Sequence, residues 1–366
     1  MKIGILTFHR AINYGAVLQA YALQHVLREQ GHEALVIDYC PSYMKRAYRL
    51  FFIERIKGQG LIGNLQMLLR ECLAFPSRYK RHKAFARFIH THIHLQKMCK
   101  ETLVSQYSTL IIGSDQVWNA GITKGMDAMY WGTDSIFDDI KHISYAASAG
   151  NIKDIELLAP QAINDALARF VAVSVREQSL VDYITSKTGI IPKLVLDPVL
   201  LAGRNAFESL IPLRKSDKPY LLLFSLCRND SAYAYAKEIA KDKGLEMIEM
   251  ISNGEVLRDK AVITSASPYD FLSYFYNAKY VVSTSFHGTA FAILFHKDFC
   301  VYSDNIYTGE RMFNLLEMLD LQERLVKDRS RLPSPKAIEW RHIDSILETK
   351  RKSSIQFIEE ALKSNV

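Results

Sequence analysis

Tyr280-Val-Val-Ser-Thr-Ser-Phe-His-Gly-Thr-Ala-Phe-Ala-Ile-Leu-Phe295 passes from an apolar strand through a short polar turn into an apolar helix. A strand that feeds a helix at once is the repeating unit of a parallel α/β sheet, and such sheets bind ligands beyond the carboxyl ends of their strands. His287 and Gly288 stand at that junction. Free N–H groups at the start of the helix favour an anion there. An imidazole titrates near neutral pH, so it can touch a bound carboxylate or phosphate and also move a proton. A histidine that only caps or packs a helix start shows the same pattern. Gly288, which lets the backbone approach a ligand closely, sets the chemical reading level with that one.

The same rhythm continues on both sides. The N-terminal residues predict a strand at 3–8, a polar loop at 9–15, a helix at 17–30 with Leu18, Ala22 and Val26 on one face, a stop at Gly31 and a strand at 34–38. No Gly-x-Gly-x-x-Gly is present, so a dinucleotide fingerprint is not supported even though Asp38 lies where a ribose-binding acid would. Further strands are expected at 110–112, 142–145, 171–175 and 193–196. Each runs into polar or small residues: Gly113-Ser-Asp-Gln-Val-Trp-Asn119, Ala146-Ala-Ser-Ala-Gly150, Arg176-Glu177 and Asp197-Pro198, the last read as an architectural turn. Residues 204–218 read as a connection. A second unit follows, with strands at 220–224, 245–250, 261–263 and 299–302 and helices at 231–243 and after Ser267-Pro268. The expected fold is therefore α/β, with two Rossmann-like domains facing a cleft, at 1–210 and 218–340, and charged amphipathic helices at the end, in 341–366.

A length of 366 residues exceeds one ordinary core, and 49% hydrophobic with 23% charged residues is a globular composition. Five scattered cysteines without a Cys-x-x-Cys pair fit reduced thiols, and no run reaches the ~20 apolar residues of a membrane span. The expected location is the cytoplasm. The net charge of +7 is uneven, because residues 44–100 carry thirteen Lys and Arg against Glu54 and Glu71. Interleaved with aromatic residues, this basic helical insertion fits the anionic inner face of a membrane, a phosphorylated acceptor, or simply a solvated helix face. Nucleic acid is not expected, since no binding motif accompanies the charge. His90, His92 and His94 alternate, but no carboxylate or cysteine joins them, so no metal is expected. Serine-hydrolase and P-loop motifs are absent from the sequence.

In order along the chain, Asn13-Tyr-Gly-Ala-Val-Leu-Gln19, Gly113 to Asn119, Ser144-Tyr-Ala-Ala-Ser-Ala-Gly150, Val175-Arg-Glu177, Leu196-Asp-Pro-Val-Leu-Leu201, Ser285-Phe-His-Gly-Thr289 and Glu310-Arg-Met-Phe-Asn-Leu-Leu316 resemble the polysaccharide pyruvyl transferase family. The resemblance implies a GT-B-like fold, phosphoenolpyruvate as donor and co-substrate with no other cofactor, and as acceptor a sugar of a bacterial surface polysaccharide or its lipid-linked precursor. His287 matches the family's catalytic histidine, and Asp115 is expected to act as base on a sugar hydroxyl. Arg176, oriented by Glu177, is expected to anchor the donor together with Ser285, Gly288, Thr289 and Arg311. Asn13, Tyr14, Gly15, Ser114, Gln116, Trp118 and Asn119 form the expected acceptor side, because aromatic faces and planar polar groups suit sugar rings. The sequence departs from its relatives at Ser285, where many carry arginine two residues before the histidine; either Arg311 or Lys297 replaces that charge, or the donor is less anionic than phosphoenolpyruvate. Two rival functions share the pattern: a glycosyltransferase using a nucleotide sugar, and a silent scaffold of polysaccharide assembly.

Overall fold

The computed structural model describes residues 1–56, 60–212, 218–253, 262–303, 306–326 and 336–364. Five parallel strands, β1 (Lys2–Leu6), β2 (Glu33–Asp38), β3 (Leu95–Lys97), β4 (Thr109–Gly113) and β5 (Lys141–Tyr145), form one sheet in the order β3-β2-β1-β4-β5. Two short paired strands, β6 (Ser174–Val175) and β7 (Lys193–Leu194), continue from its β5 edge through bridges at Ala172 and Val175. The second sheet holds β8 (Tyr220–Ser225), β9 (Glu246–Ile251), β10 (Val262–Ile263), β11 (Tyr280–Ser283) and β12 (Asp298–Val301) in the matching order β10-β9-β8-β11-β12. Both orders are Rossmann-like, and each reverses direction at one switch point, β1/β4 or β8/β11, where such sheets bind ligands. The architecture is thus the GT-B-like pair of Rossmann-like halves that the sequence predicts.

Helix α1 (Tyr14–Glu29) leaves β1 through Asn13, whose side chain caps it by accepting from Ala16 N–H at 3.3 Å. It ends at Gly31, where φ of +81° suits glycine. Leu18, Ala22 and Leu23 of α1 share one continuous buried core with Phe291 and Ile293 of the other half. The two halves are therefore joined by an apolar interface rather than by a linker alone, which resists large relative motion.

The basic segment folds differently from a simple surface insertion. Helix α2 (Gly60–His92) runs 33 residues with Pro76 inside it, and β3 after it becomes an edge strand of the first sheet. Arg81 is buried: Nη2 donates to Ile12 O at 3.0 Å and to Ser252 Oγ at 3.3 Å, tying the halves together. Phe85 and Phe88 are buried beside it, and His92 Nε2 meets Tyr269 Oη at 2.8 Å. His90 and His92 thus lie on a helix, not on the strand that their alternation would need to put all three histidines on one face. Part of the expected connection, 213–217, and residue 261 of an expected strand lie outside the described residues.

The described end of the chain is a single helix. Trp340–Lys363 returns to the first half, where Ser354 Oγ accepts from Leu196 N–H at 3.0 Å, Arg351 donates to Leu200 O at 2.7 Å and Leu362 O accepts from Lys141 at 2.9 Å.

Candidate active site

The helix after β11 is Phe286–Leu294, so His287 occupies its first turn at the β8/β11 switch point. Ser285 is its N-cap, accepting from Gly288 N–H at 3.0 Å, while Thr289 Oγ1 donates to Ser285 O at 2.9 Å. A side chain at Gly288 would strike Ser283 Oγ, 2.4 Å from the Cβ position. Ser285, Gly288 and Thr289, expected on the donor, therefore hold the turn that carries His287. Thr289 is wholly buried.

From the first half, the start of α1 meets this turn. A Cβ built on Gly15 would lie 2.1 Å from His287 Nδ1, so glycine is required there for the imidazole to fit. On its other side His287 Nε2 is 3.6 Å from Asp197 Oδ2. Asp197 is buried and has two further duties: Oδ1 accepts from Val199 N–H at 2.9 Å, and Oδ2 accepts from Arg176 Nη1 at 2.5 Å. Burial pushes this carboxyl up, but His287 and then Arg176 outweigh it and hold Asp197 well below the usual carboxylate range. Asp197 is the residue that sequence reasoning passed over. Asp-Pro is an ordinary helix-start pair, and Asp197 does cap the helix Pro198–Ala202; its second oxygen does the rest.

Arg176 follows β6 and is enclosed by acids. Glu177 Oε1 accepts from its Nε at 3.0 Å, and Asp115 Oδ1 lies 3.8 Å from Nη2. Burial opposes its charge, and Glu177, Asp197 and Asp115 more than offset that, so its pKa rises. Its guanidinium stands 4.9 Å from the Phe286 ring centroid. A cation from the first half thus reaches the motif that lacks one of its own. Glu177 is in turn fixed by Ser148 Oγ, which donates to it at 2.7 Å.

Arg311, on Ile306–Met318, completes the group. Burial and then Arg176 push it below arginine's ordinary value, against the pull of Glu177, Asp115 and Asp154. Buried atoms without a hydrogen-bond partner among the described residues collect here: Arg176 Nη2, Glu177 Oε2, His287 Nε2, Arg311 Nε and Ser114 Oγ. Native structures leave few such groups unpaired, so each of these calls for water, an ion or a ligand as its partner. A cavity of about 470 Å3 adjoins the group, walled by Arg176, Asp197, Phe286, Arg311, Lys193 and Lys350, with Glu317 its second acid. His287 does not line it and connects through Asp197. Lys297 belongs elsewhere: it follows the far end of the helix that His287 begins, beside Tyr276.

Several expected acceptor residues prove structural. Trp118 has no exposed surface, stacks on Trp131 at 4.8 Å and donates to Tyr130 O, so it offers no face to a sugar. Tyr14 is buried, stacked on Phe271 and donating to Ala266 O at 2.9 Å. Ser114 is buried, and Gln116 and Asn119 bond each other, with Asn119 also donating to Asp154 at 3.0 Å and capping the next turn. Asn13 stays partly exposed beside Gly15. Asp115 sits in the left-handed region at φ +60°, and Ala146, at the end of β5, at +50°. Such conformations cost about 1–3 kcal/mol each and gather at functional sites.

An imidazole beside a buried carboxylate thus stands where the two Rossmann-like sheets of a GT-B-like fold face each other. A sequence profile of the polysaccharide pyruvyl transferase family matches residues 13–305, and the chain belongs to that family. It is a transferase of pyruvate onto polysaccharide. No curated protein matches it in sequence. Among solved structures it is similar to UDP-GlcNAc 2-epimerase from Neisseria meningitidis bound to UDP-GlcNAc, at 10% identity, covering 100% of both chains with a TM-score of 0.46. It is also similar to S. aureus MnaA with UDP, at 9% identity over 98% of this chain and 89% of that one, TM-score 0.46. E. coli ADP-heptose LPS heptosyltransferase II matches at 11% identity over 97% and 100%, TM-score 0.37.

Proposed function

We propose that the enzyme takes pyruvate from phosphoenolpyruvate and fixes it as a ketal on two hydroxyls of one sugar, in a surface polysaccharide or its lipid-linked precursor. The methylene carbon gains a proton and becomes the methyl group, leaving positive character on the neighbouring carbon. One sugar hydroxyl adds there and loses its proton; the second displaces inorganic phosphate, which carries away the other proton. His287 is the acid/base for these transfers, and Asp197 stabilises its charged form. Asp115 takes a proton from the acceptor, and Asn13 contacts the sugar.

The observation that carries this reading is the cationic wall beside Asp197. Among the described residues, Arg176, Lys193, Arg311 and Lys350 face the cavity against Asp197 and Glu317. A donor bearing a carboxylate and a phosphate suits such a wall, because arginine binds both through charge-assisted hydrogen bonds. An anion there would also relieve Arg311, which is half-buried near another arginine. The test is release of inorganic phosphate from phosphoenolpyruvate on addition of glycan. Release of a nucleoside diphosphate from a nucleotide sugar instead would replace this reading with the glycosyltransferase one. Neither product, together with unchanged polysaccharide in a His287→Ala strain, would leave the scaffold.

A further inference from the structure

Helix α2 has an outer stripe that nothing among the described residues covers. Ile62, Leu65, Leu69 and Leu73 follow one another at intervals of three and four residues, which places them on one helix face. They are 73%, 57%, 55% and 68% exposed. Lone exposed leucines are unremarkable, but four in a row on one face are a contact surface. Past Pro76 the same face continues as Lys80, Lys83 and Arg87, all exposed. The opposite face, with Ala74, Arg81, Phe85 and Phe88, is the one buried in the protein. The only acid on the helix is Glu71, which is buried and paired with Arg78 at 2.5 Å.

We propose that this stripe docks the enzyme on an anionic lipid bilayer, with the aliphatic half in the headgroup boundary and the basic half on the lipid phosphates. An amphipathic helix of this kind lies in the plane of the interface. No helix among the described residues is long and apolar enough to cross a membrane, so the contact is peripheral. A second copy of the chain is the poorer occupant. It would bring the same basic run and no acid on that face to meet it. The inference rests on the helix surface and not on the donor chemistry. It adds that the cleft stands near the bilayer, since Arg81, eight residues beyond Leu73, already contacts Ile12 beside Asn13. Eight helical residues span about 12 Å.

The test is co-sedimentation of the full chain with vesicles of phosphatidylcholine alone or mixed with phosphatidylglycerol. Binding is expected to the anionic vesicles only, and to weaken with salt. Lys80→Glu and Lys83→Glu each lower it about fivefold or more, and Leu65→Glu with Leu69→Glu roughly tenfold or more, with helix content unchanged. In a Leu69→Trp variant the indole emission shifts blue on adding anionic vesicles. Absence of binding, equal binding to both vesicle types, or an emission that does not move overturns the proposal. So does a vesicle-independent dimer that the glutamate variant abolishes.

Discussion

Replacing Asp197 by asparagine keeps the side chain's shape and removes its charge. In the native site one oxygen accepts from Val199 N–H at 2.9 Å and the other from Arg176 Nη1 at 2.5 Å, with His287 Nε2 at 3.6 Å. An amide can turn its carbonyl to only one of those donors, and the other then faces an N–H. A buried donor left so costs about 1–3 kcal/mol. Against a total stability on the order of 5–15 kcal/mol, the variant stays folded. Activity is the more sensitive readout. Opposite unit charges 3.6 Å apart interact by about 4.6 kcal/mol at an effective dielectric of about 20, and Arg176, at 2.5 Å from the same oxygen, already draws on that charge. Since each ~1.4 kcal/mol is tenfold in rate, the ceiling is about 10³. We expect kcat for phosphate release to fall by about 10² to 10³, with KM for phosphoenolpyruvate little changed and a melting temperature a few degrees lower. A variant that melts earlier yet turns over at the native rate would refute this, and would make Asp197 the helix cap and nothing more.

Other expectations follow from single contacts. Gly15→Ala pushes the imidazole out of place, so kcat drops by about 10² or more while the fold persists, as activity and circular dichroism together can show. Arg311→Ala raises KM for phosphoenolpyruvate by roughly 10- to 100-fold, a charge-assisted hydrogen bond's worth, and Arg311→Lys recovers part of it; an unchanged KM removes Arg311 from the donor site. Trp118→Ala lowers stability by about 3–5 kcal/mol in denaturant titration and leaves KM for the acceptor unchanged in the fraction still folded. Asp197 has a folded pKa below its unfolded one, so its stabilisation is full above about pH 4 and is lost as pH falls toward the folded value. The acid limb of the unfolding midpoint against pH is therefore shallower in Asp197→Asn.

Much of the fold was legible because strand and helix periods alternate plainly, and each strand's carboxyl end is marked by small or polar residues. The reading of β11 and its helix placed His287 at the junction where the structure has it. What sequence could not show was which polar-looking loop residues point inward. Trp118 stands among Asp115, Gln116 and Asn119, yet it stacks on Trp131, thirteen residues later. Tyr14 and Arg81 were hidden for the same reason: each is buried by contacts with the other half of the chain, which no local period records. Strands at 171–175 and 193–196 shrink to two residues each, since they form a small pair at the edge of the sheet rather than full members of it. Asp197 escaped because one side chain answers two needs, and the local one alone accounts for Asp-Pro.

The returning C-terminal helix has a consequence for how the protein is made. Its residues Arg351, Ser354 and Leu362 hold backbone and side chain of the first half at Leu200, Leu196 and Lys141. Leu196 and Leu200 flank Asp197, the carboxylate beside His287. On the ribosome, the first sheet emerges long before the helix that braces it, and the loop carrying Asp197 must wait for the whole second half to be translated. Until Trp340–Lys363 has been made, a nascent chain lacks the contacts that brace the loop carrying Asp197.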